Sequence, residues 1–333
     1  MLPISTYQTA MLTVFLDFGS VTRGDIDRTV LEQATSPWIY HDNTAREQVA
    51  ERIREAEIVV SNKTLLDRTA ICAADKLKLI CIAATGYNNV DLVAAAERNI
   101  PVCNVRNYAT GSVVQHVFMF MLNFACRFVE YQQLIKKGGW QTSPYFCPLD
   151  FGIMELAGKT LGIIGHGELG SAVANLARAF GMKLQIAEHK SALSVRSGRT
   201  AFDDVICQAD FITLHCPLSE DTHHLIGSRE LDLMKPSAYL INTARSGLIN
   251  DTDLLQALYS GRIAGAAIDV LKEEPPVNGN PLLDYPYPNL IITPHSAWAS
   301  VESRQRMISL LADNIHNFLQ NKPFNQITDA LTR

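Results

Sequence analysis

The stretch that decides the fold of this chain is Leu161-Gly-Ile-Ile-Gly-His-Gly-Glu-Leu-Gly170. Its apolar start predicts a buried strand, and the G-x-G-x-x-G turn of residues 165–170 precedes a sequence typical of a helix at 171–180. Gly165 allows the tight turn, Gly167 lets a pyrophosphate approach the backbone, and Gly170 allows close packing of helix and strand. The free N–H groups and the positive end of that helix would then hold the phosphates.

An acidic residue follows this turn at the spacing that a dinucleotide site needs. Glu188 ends the next apolar run, at 184–187, and lies 18 residues after Gly170. A carboxylate at that position can accept hydrogen bonds from the hydroxyls of the adenosine ribose. A bare glycine turn is weak evidence, but the strand, turn, helix and acid together predict that the chain binds a dinucleotide.

The composition excludes several classes of protein. The length of 333 residues favours two domains, and the net charge of −5 without a basic block gives no reason to expect nucleic acid as a partner. The seven cysteines are odd in number and form no C-x-x-C pair, so we expect reduced thiols in a cytoplasmic protein and no metal site. The most apolar stretch, 113–129, is too short and too polar to cross a membrane, and the N-terminus does not resemble a signal peptide.

Two series of alternating strands and helices organise the chain. After the first ten residues, which have no periodic pattern, the first series runs to about residue 104 and includes a predicted helix at 44–57. A long helix at 111–131 and an aromatic loop at 137–151 separate it from the second series. The predicted strands of the second series are 161–164, 184–187, 211–214, 238–241, 265–269 and 290–293.

The order of these series predicts an insertion. Six parallel strands make a complete doubly wound nucleotide-binding sheet, yet this sheet begins only after a first domain, and one helix at 301–320 trails it. We therefore predict an α/β protein with two doubly wound parallel-sheet domains. A Rossmann domain at 106–304 is inserted into a flavodoxin-like substrate domain made of 1–105 and 305–333. A cleft between such domains is where a substrate would meet the cofactor.

Three polar residues follow consecutive strands of the second series: Arg245, Glu274 and His295. The reduction of a 2-oxo acid by a nicotinamide needs a cation for the carboxylate and the carbonyl, an acid for the alkoxide, and a group that orients that acid. The planar fork of arginine suits a carboxylate, and a neighbouring carboxylate stabilises protonated histidine. Each residue alone could be an ordinary loop residue. Together, at strand ends where open parallel sheets bind ligands, they predict an active site.

From about residue 11 to its end, the chain resembles the D-isomer-specific 2-hydroxyacid dehydrogenases. The motifs are the glycine turn, Leu-His-Cys-Pro-Leu (214–218), Ile-Asn-Thr-Ala-Arg-Ser-Gly (241–247), Ala-Ile-Asp-Val-Leu-Lys-Glu-Glu-Pro-Pro (267–276) and Thr-Pro-His (293–295). Within the family the chain is most similar to bacterial glycerate dehydrogenases, also called hydroxypyruvate reductases. That similarity rests on Ala-Thr-Gly-Tyr-Asn-Asn-Val-Asp (84–91), Ser-Val-Val-Gln-His (112–116) and Gly-Asn-Pro-Leu-Leu (279–283).

The resemblance implies a catalytic role for each of the three polar residues. Arg245 would bind the carboxylate and the carbonyl oxygen of the substrate, and His295 would be the general acid in reduction and the base in oxidation. Glu274, rather than its neighbour Glu273, would hydrogen-bond His295. Further substrate contacts are implied at Thr85, Gly86 and Trp298, with the first two offering backbone N–H groups.

The resemblance also implies how the cofactor is bound. Cofactor contacts are implied at Thr85, Gly165, Gly167, Glu168, Leu169, Gly170, Glu188, Cys216, Thr243, Ala244, Asp269 and Ala297. Ala297 replaces a glycine that is usual in the family, and with Trp298 it would crowd the nicotinamide pocket. The carboxylate of Glu188 would repel a 2′-phosphate and so favours NAD, whereas Lys190 and Arg196 nearby leave NADP open.

The sequence thus predicts NADH-dependent, reversible reduction of a small 2-oxo acid, hydroxypyruvate or glyoxylate, to the D-2-hydroxy acid. One alternative is an NADH-sensing interaction protein like the corepressors that share this fold. Another is a D-2-hydroxyacid dehydrogenase for phosphohydroxypyruvate or pyruvate. The apolar helix at 111–131 and the loop after it predict a homodimer.

Overall fold

The protein, seen in a computed structural model, is described at residues 10–322 and 324–327. Contacts between Cα atoms divide these residues into two compact units. The first holds the described residues of Met1–Ala109 and Ala299–Arg333, and the second is Thr110–Trp298. The domain limits inferred from the sequence, 1–105 with 305–333 and 106–304, stay a prediction. The expected N-terminal extension lies outside the described residues, except for Ala10.

The first unit is built on a parallel sheet of five strands. The strands are β1 (Ala10–Phe15), β2 (Ser36–Tyr40), β3 (Ile58–Ser61), β4 (Leu79–Ile82) and β5 (Val102–Cys103). Their order is β2-β1-β3-β4-β5, the strand order of flavodoxin-like sheets, which agrees with the flavodoxin-like domain that the sequence predicts. Every residue of β3, β4 and β5 is buried, because helices cover both faces of such a sheet.

Five helices belong to this unit. They are α1 (Thr29–Ala34), α2 (Val49–Ile53), α3 (Arg68–Ala73), α4 (Leu92–Glu97) and, after the second unit, α11 (Val301–Leu319). The helix predicted at 44–57 was too long. Thr44 turns inward and its hydroxyl donates a hydrogen bond to the carbonyl of Leu16, so the chain becomes helical only at the 3-10 turn Arg46–Gln48 and α2.

The second unit holds the six-stranded parallel sheet that the sequence predicts. The strands are β6 (Thr160–Ile164), β7 (Lys183–Ile186), β8 (Phe211–Leu214), β9 (Tyr239–Asn242), β10 (Gly265–Ile268) and β11 (Leu290–Ile292). Their order is β11-β10-β9-β8-β6-β7. The chain leaves β6 for β7 on one side and later returns to β8 on the other. This reversal is a topological switch point, where open α/β sheets bind ligands.

The register of this sheet aligns the carboxyl ends of five strands. Ile164 pairs with Leu214, Leu214 with Asn242, Asn242 with Ile268, and Ile268 with Ile292. The residues that follow these strands therefore leave the sheet along one edge. The helices of the unit are α5 (Thr110–Cys126), α6 (Phe128–Lys136), α7 (Glu168–Ala179), α8 (Phe202–Gln208), α9 (Ser228–Leu233) and α10 (Asp251–Tyr259).

The prediction of a single helix at 111–131 is wrong, because this segment forms two helices, α5 and α6, in the structure. Arg127, between them, has φ 53 and ψ 38, the left-handed conformation that ends a helix. Its guanidinium pairs with Glu130 at 3.0 Å. Within the described residues no one helix has the length and apolar character to cross a membrane, and α5 and α6 pass that test only as a pair bent by 58°.

Candidate active site

The glycine turn follows β6 and lies at the switch point of the second sheet. Gly165 has φ +93, and a Cβ atom there would lie 2.4 Å from the backbone nitrogen of Cys216. Gly170 lies in the first turn of α7, where a Cβ atom would come 2.1 Å from the carbonyl oxygen of Gly165. Packing alone therefore requires glycine at both positions. A Cβ atom at Gly167 would meet nothing within 4 Å, so the space at this helix N-terminus is open to a phosphate.

Two orphaned polar atoms lie farther along the same edge. The Nδ1 atom of His215 and the hydroxyl of Thr243 are buried and lack a hydrogen-bond partner within the described residues. Buried polar atoms without partners are rare in folded proteins. Together with the open space at Gly167, they fit a polar ligand bound at this edge of the sheet. Burial raises the pKa of the Cys216 thiol, which makes it a poor nucleophile.

The acid that follows β7 is enclosed by hydrogen bonds. The Glu188 side chain is 3% exposed, and one of its oxygens accepts from the backbone N–H of His189 at 2.8 Å. Arg196 supplies three more donors: its backbone N–H at 3.1 Å, Nε at 2.8 Å and Nη2 at 2.5 Å. The Arg196 guanidinium holds the pKa of Glu188 well below its usual range, so this carboxylate is charged.

The structure brings His295 and Glu274 together. The Nδ1 atom of His295 lies 2.5 Å from Oε2 of Glu274. The other oxygen of Glu274 accepts from the backbone N–H of Leu271 at 2.8 Å, which fixes the carboxylate. Glu273, the competing assignment, accepts instead from the side-chain amide of Asn278. Geometry therefore favours Glu274 as the partner of the histidine.

The backbone around His295 is held by a buried carboxylate. His295 has φ 51, a conformation that is unfavourable for a residue with a side chain. Asp269, at the end of β10, is 1% exposed and accepts from the backbone N–H groups of Ser296 at 2.9 Å and Ala297 at 3.0 Å. It also accepts from the hydroxyl of Thr293 at 2.5 Å. These contacts on both sides of the histidine maintain the turn.

A second histidine joins this network and was missed as a site residue. The Nε2 atom of His116, on α5, lies 3.0 Å from the Thr293 hydroxyl and 3.6 Å from a carboxylate oxygen of Asp269. Burial lowers the pKa of His116, and the charge of Asp269 opposes that effect. In the sequence, His116 drew attention only as part of Ser-Val-Val-Gln-His (112–116), a stretch that carries the resemblance without giving this histidine a role.

Arg245 follows β9 and is exposed. Its Nη1 atom donates to the carbonyl of Ala244 at 2.7 Å. Asn242, which is buried, shapes this turn: its amide donates to the carbonyl of Arg245 at 2.8 Å, and its oxygen accepts from the N–H of Ala244 at 3.0 Å. Asn242 is a second residue that the sequence reasoning did not select.

The remaining predicted site residues divide between the units. Thr85 and Gly86 follow β4 in the first unit, where the Thr85 hydroxyl donates to the carbonyl of Val105 at 3.0 Å. Trp298 is half-buried and is the last residue of the second unit. Glu168 begins α7 and accepts a hydrogen bond from the hydroxyl of Thr110. Across the described residues, no group of three or more His, Cys, Asp or Glu side chains could hold a metal ion.

Comparison with known proteins decides the family. The sequence model for the NAD-binding domain of D-isomer-specific 2-hydroxyacid dehydrogenases matches residues 118–297. The chain belongs to this family. The dehydrogenase is similar to the glycerate dehydrogenase of Methylorubrum extorquens, with 42% identity over 317 residues that cover 94% of this chain and 98% of the relative. It is also similar to the hydroxypyruvate reductase of Blautia hydrogenotrophica, with 36% identity over 323 residues that cover 95% and 99%.

A solved structure agrees with the fold. The crystal structure of the TT0316 protein from Thermus thermophilus has a TM-score of 0.83 and 29% identity, and it covers 95% of this dehydrogenase and 100% of that chain. The dehydrogenase is therefore an oxidoreductase with an NAD-binding domain, and it interconverts 2-hydroxy acids and the corresponding 2-oxo acids. The predicted family, fold class and cofactor class are confirmed. The corepressor-like alternative is not favoured by these relatives.

Proposed function

We propose that the dehydrogenase reduces hydroxypyruvate or glyoxylate with NADH, giving D-glycerate from hydroxypyruvate. The observation that supports it most is the 2.5 Å contact between His295 and Glu274 at the sheet edge that also bears the glycine turn. The names of the two relatives support hydroxypyruvate over phosphohydroxypyruvate and pyruvate as the substrate.

The residues of the chain would divide the reaction as follows. Bound NADH supplies the hydride that the carbonyl carbon of the substrate accepts. Arg245 pairs with the substrate carboxylate and polarises the carbonyl, because a guanidinium donates two parallel hydrogen bonds. His295 donates the proton on Nε2 to the carbonyl oxygen as negative charge develops there. Glu274 accepts from Nδ1 of His295, which orients the ring and stabilises its charged form. In oxidation the same proton moves back to the imidazole.

The other contacts are proposed on the same basis. Gly165, Gly167 and Gly170, with the backbone of Glu168 and Leu169, would hold the pyrophosphate. Glu188 would accept from the adenosine ribose. The nicotinamide side would be lined by Cys216, Thr243, Ala244, Asp269 and Ala297. Thr85 and Gly86 would contribute backbone N–H groups to the substrate carboxylate and contact the nicotinamide, and Trp298 would limit the substrate side chain.

Turnover on a panel of oxo acids tests this proposal. The loss of NADH or NADPH absorbance is followed with hydroxypyruvate, glyoxylate, pyruvate, phenylpyruvate and phosphohydroxypyruvate. His295→Ala is expected to lose nearly all turnover and to keep NADH binding, measured by fluorescence titration. His316→Ala, an exposed histidine of α11 that contacts Gln320, is the matched control. Wild-type turnover in His295→Ala, or a preference of the unaltered enzyme for another oxo acid, would contradict the assignment.

We also propose a cytoplasmic homodimer that pairs through α5, α6 and the loop after them, the region of the helix predicted at 111–131 and of its aromatic loop. Phe146 is 93% exposed and Leu149 is 83% exposed, and Trp140 and Tyr145 are exposed beside them in the sequence. Exposed apolar side chains in such number are typical of a protein interface. The double variant Phe146→Ser/Leu149→Ser is expected to elute as a monomer in size-exclusion chromatography with light scattering. Val93→Ser, at an exposed apolar residue of the first unit, is expected to match the wild type. A monomeric wild type would refute the proposal.

A further inference from the structure

The carboxylate of Glu188 has no acceptor position left for a ligand. An ionised carboxylate offers about four lone-pair positions on its two oxygens. One oxygen accepts from the N–H of His189 and from Nη2 of Arg196, and the other accepts from the N–H and Nε of Arg196. Two of these donors belong to the guanidinium. The Arg196 side chain therefore occupies the half of the carboxylate that a ribose diol would need.

The two partners differ in their freedom to move. The Glu188 side chain is 3% exposed and is held by two backbone N–H groups, whereas the Arg196 side chain is 67% exposed. The guanidinium can therefore leave for solvent while the carboxylate stays in place. Binding of a ribose with free 2′ and 3′ hydroxyls would displace the Arg196 side chain from Glu188.

A second arginine, Arg199, lies beside this pair in the structure. Arg199 donates to the carbonyl of Ala187, the residue just before Glu188, at 3.1 Å. The pKa of His166, in the glycine turn, is lowered by burial and then by the charges of Arg199 and Arg178, which therefore act close to that turn. Lys190 does not belong to this group, since it pairs with Glu230 at 2.9 Å. A 2′-phosphate on the ribose would therefore meet Arg196, with Arg199 close by.

We propose that Arg196 determines the choice between NADH and NADPH. It competes with the unphosphorylated ribose for Glu188, and it pairs with a 2′-phosphate when one is present. A guanidinium has five donors, so it can bridge the carboxylate and the phosphate and remove the repulsion between them. The inference rests on the proposed assignment of Glu188 to the adenosine ribose, and it does not depend on which oxo acid is the substrate.

Dissociation constants measured without an oxo acid test the inference. NADH and NADPH are titrated by fluorescence or calorimetry into the wild type and Arg196→Ala. We expect NADPH to bind about tenfold more weakly to the variant, or weaker still, because a charge-assisted pair with the phosphate is lost. We expect NADH to bind about two- to fivefold more tightly, because its competitor for Glu188 is gone. Adenosine 2′,5′-bisphosphate and adenosine 5′-phosphate should show the same divergence without the nicotinamide half.

Two further variants separate the causes. Arg68→Ala removes an exposed arginine that makes a similar two-point pair with Glu97 in the first unit, and it is expected to bind both cofactors as the wild type does. Arg196→Lys keeps the charge without the fork, and its NADPH affinity is expected to lie between those of the wild type and Arg196→Ala. The inference is overturned if Arg196→Ala changes both affinities by the same factor, or leaves the NADPH affinity within twofold.

Glu188→Gln distinguishes the failure of this inference from the failure of the ribose assignment. If Glu188 receives the ribose, the glutamine variant is expected to bind NADH several-fold more weakly than the wild type. An unchanged NADH affinity in Glu188→Gln would remove the ribose assignment and, with it, the competition. A weakened NADH affinity in Glu188→Gln, combined with unchanged selectivity in Arg196→Ala, would refute the role of Arg196 alone.

Discussion

Replacing Gly167 by alanine should weaken the binding of NADH while leaving the stability of the fold nearly unchanged. Gly167 is the N-cap of α7, with φ −82, a value that alanine adopts without strain, and an added Cβ atom would meet nothing within 4 Å. The free energy of unfolding is therefore expected to change by no more than about 0.5 kcal/mol. The methyl group would instead fill the space through which a phosphate approaches the N–H groups of the helix. Losing one charge-assisted hydrogen bond there costs about 1.5–3 kcal/mol, so NADH should bind about 10- to 150-fold more weakly.

The assay needs two companion variants. Gly152→Ala also places its Cβ atom in open space, in the loop between α6 and β6, so both its stability and its NADH affinity should match the wild type. Gly170→Ala brings a Cβ atom within 2.1 Å of the carbonyl oxygen of Gly165, so the backbone must shift and stability should fall by about 1–3 kcal/mol. Thermal unfolding gives the stabilities, and fluorescence titration gives the NADH affinities.

Two results would refute the assignment of the pyrophosphate to the N-terminus of α7 or the separation of binding from stability. If Gly167→Ala binds NADH as tightly as Gly152→Ala does, the open space at the N-terminus of α7 is not where the pyrophosphate lies. If Gly167→Ala instead loses as much stability as Gly170→Ala, the weaker binding would reflect a damaged fold, and the separation of the two effects would fail.

Three other predictions follow from the geometry of single side chains. Glu274→Gln should lower kcat about tenfold or more with an unchanged NADH affinity, because a neutral amide replaces the charge beside His295, whereas Glu273→Gln should keep wild-type kcat. Burial lowers the pKa of His215 from 6.5 to about 4. As the pH falls, this imidazole is therefore protonated in the unfolded chain before it is protonated in the folded protein. The free energy of unfolding should then fall by about 3 kcal/mol more in the wild type than in His215→Gln between pH 7 and pH 4, and equal losses would contradict this. Trp298→Ala should raise kcat/KM for phenylpyruvate relative to hydroxypyruvate, and an unchanged ratio would show that this side chain does not limit the substrate.

The sheet of the second unit could be predicted from the sequence because its signals are local. Each strand is a short apolar run, and the glycine turn has its own steric requirements, which the structure shows at Gly165 and Gly170. The residues after β9, β10 and β11 could be selected because parallel strands end at the same edge of a sheet. The pairing of Glu274 rather than Glu273 with His295 rested on the resemblance, and the hydrogen bonds of the two carboxylates now support it.

Features that depend on distant contacts were not predicted. The break at Arg127 has no glycine or proline to mark it, so the apolar pattern continued across it. The contact of His116 with Thr293 joins residues that are 177 positions apart. Arg196 lies only eight positions after Glu188, but the turn that brings the two side chains together has no periodic pattern, so their contact was not predicted. Helix and strand propensities and motif spacing describe one element at a time. They do not show which side chain contacts a residue of another element.

The hydrogen bonds of Asp269 show how reactive side chains in loops can be held in place. The register of the sheet aligns the strand ends, but His295 and Glu274 both lie beyond those ends, where the sheet no longer constrains the backbone. The constraint there comes from Asp269, which binds the chain on both sides of His295 while remaining buried itself. A buried carboxylate is costly unless its oxygens accept hydrogen bonds, and here the donors belong to the very turn that it holds. The stability of this turn and the position of its histidine therefore depend on the same hydrogen bonds.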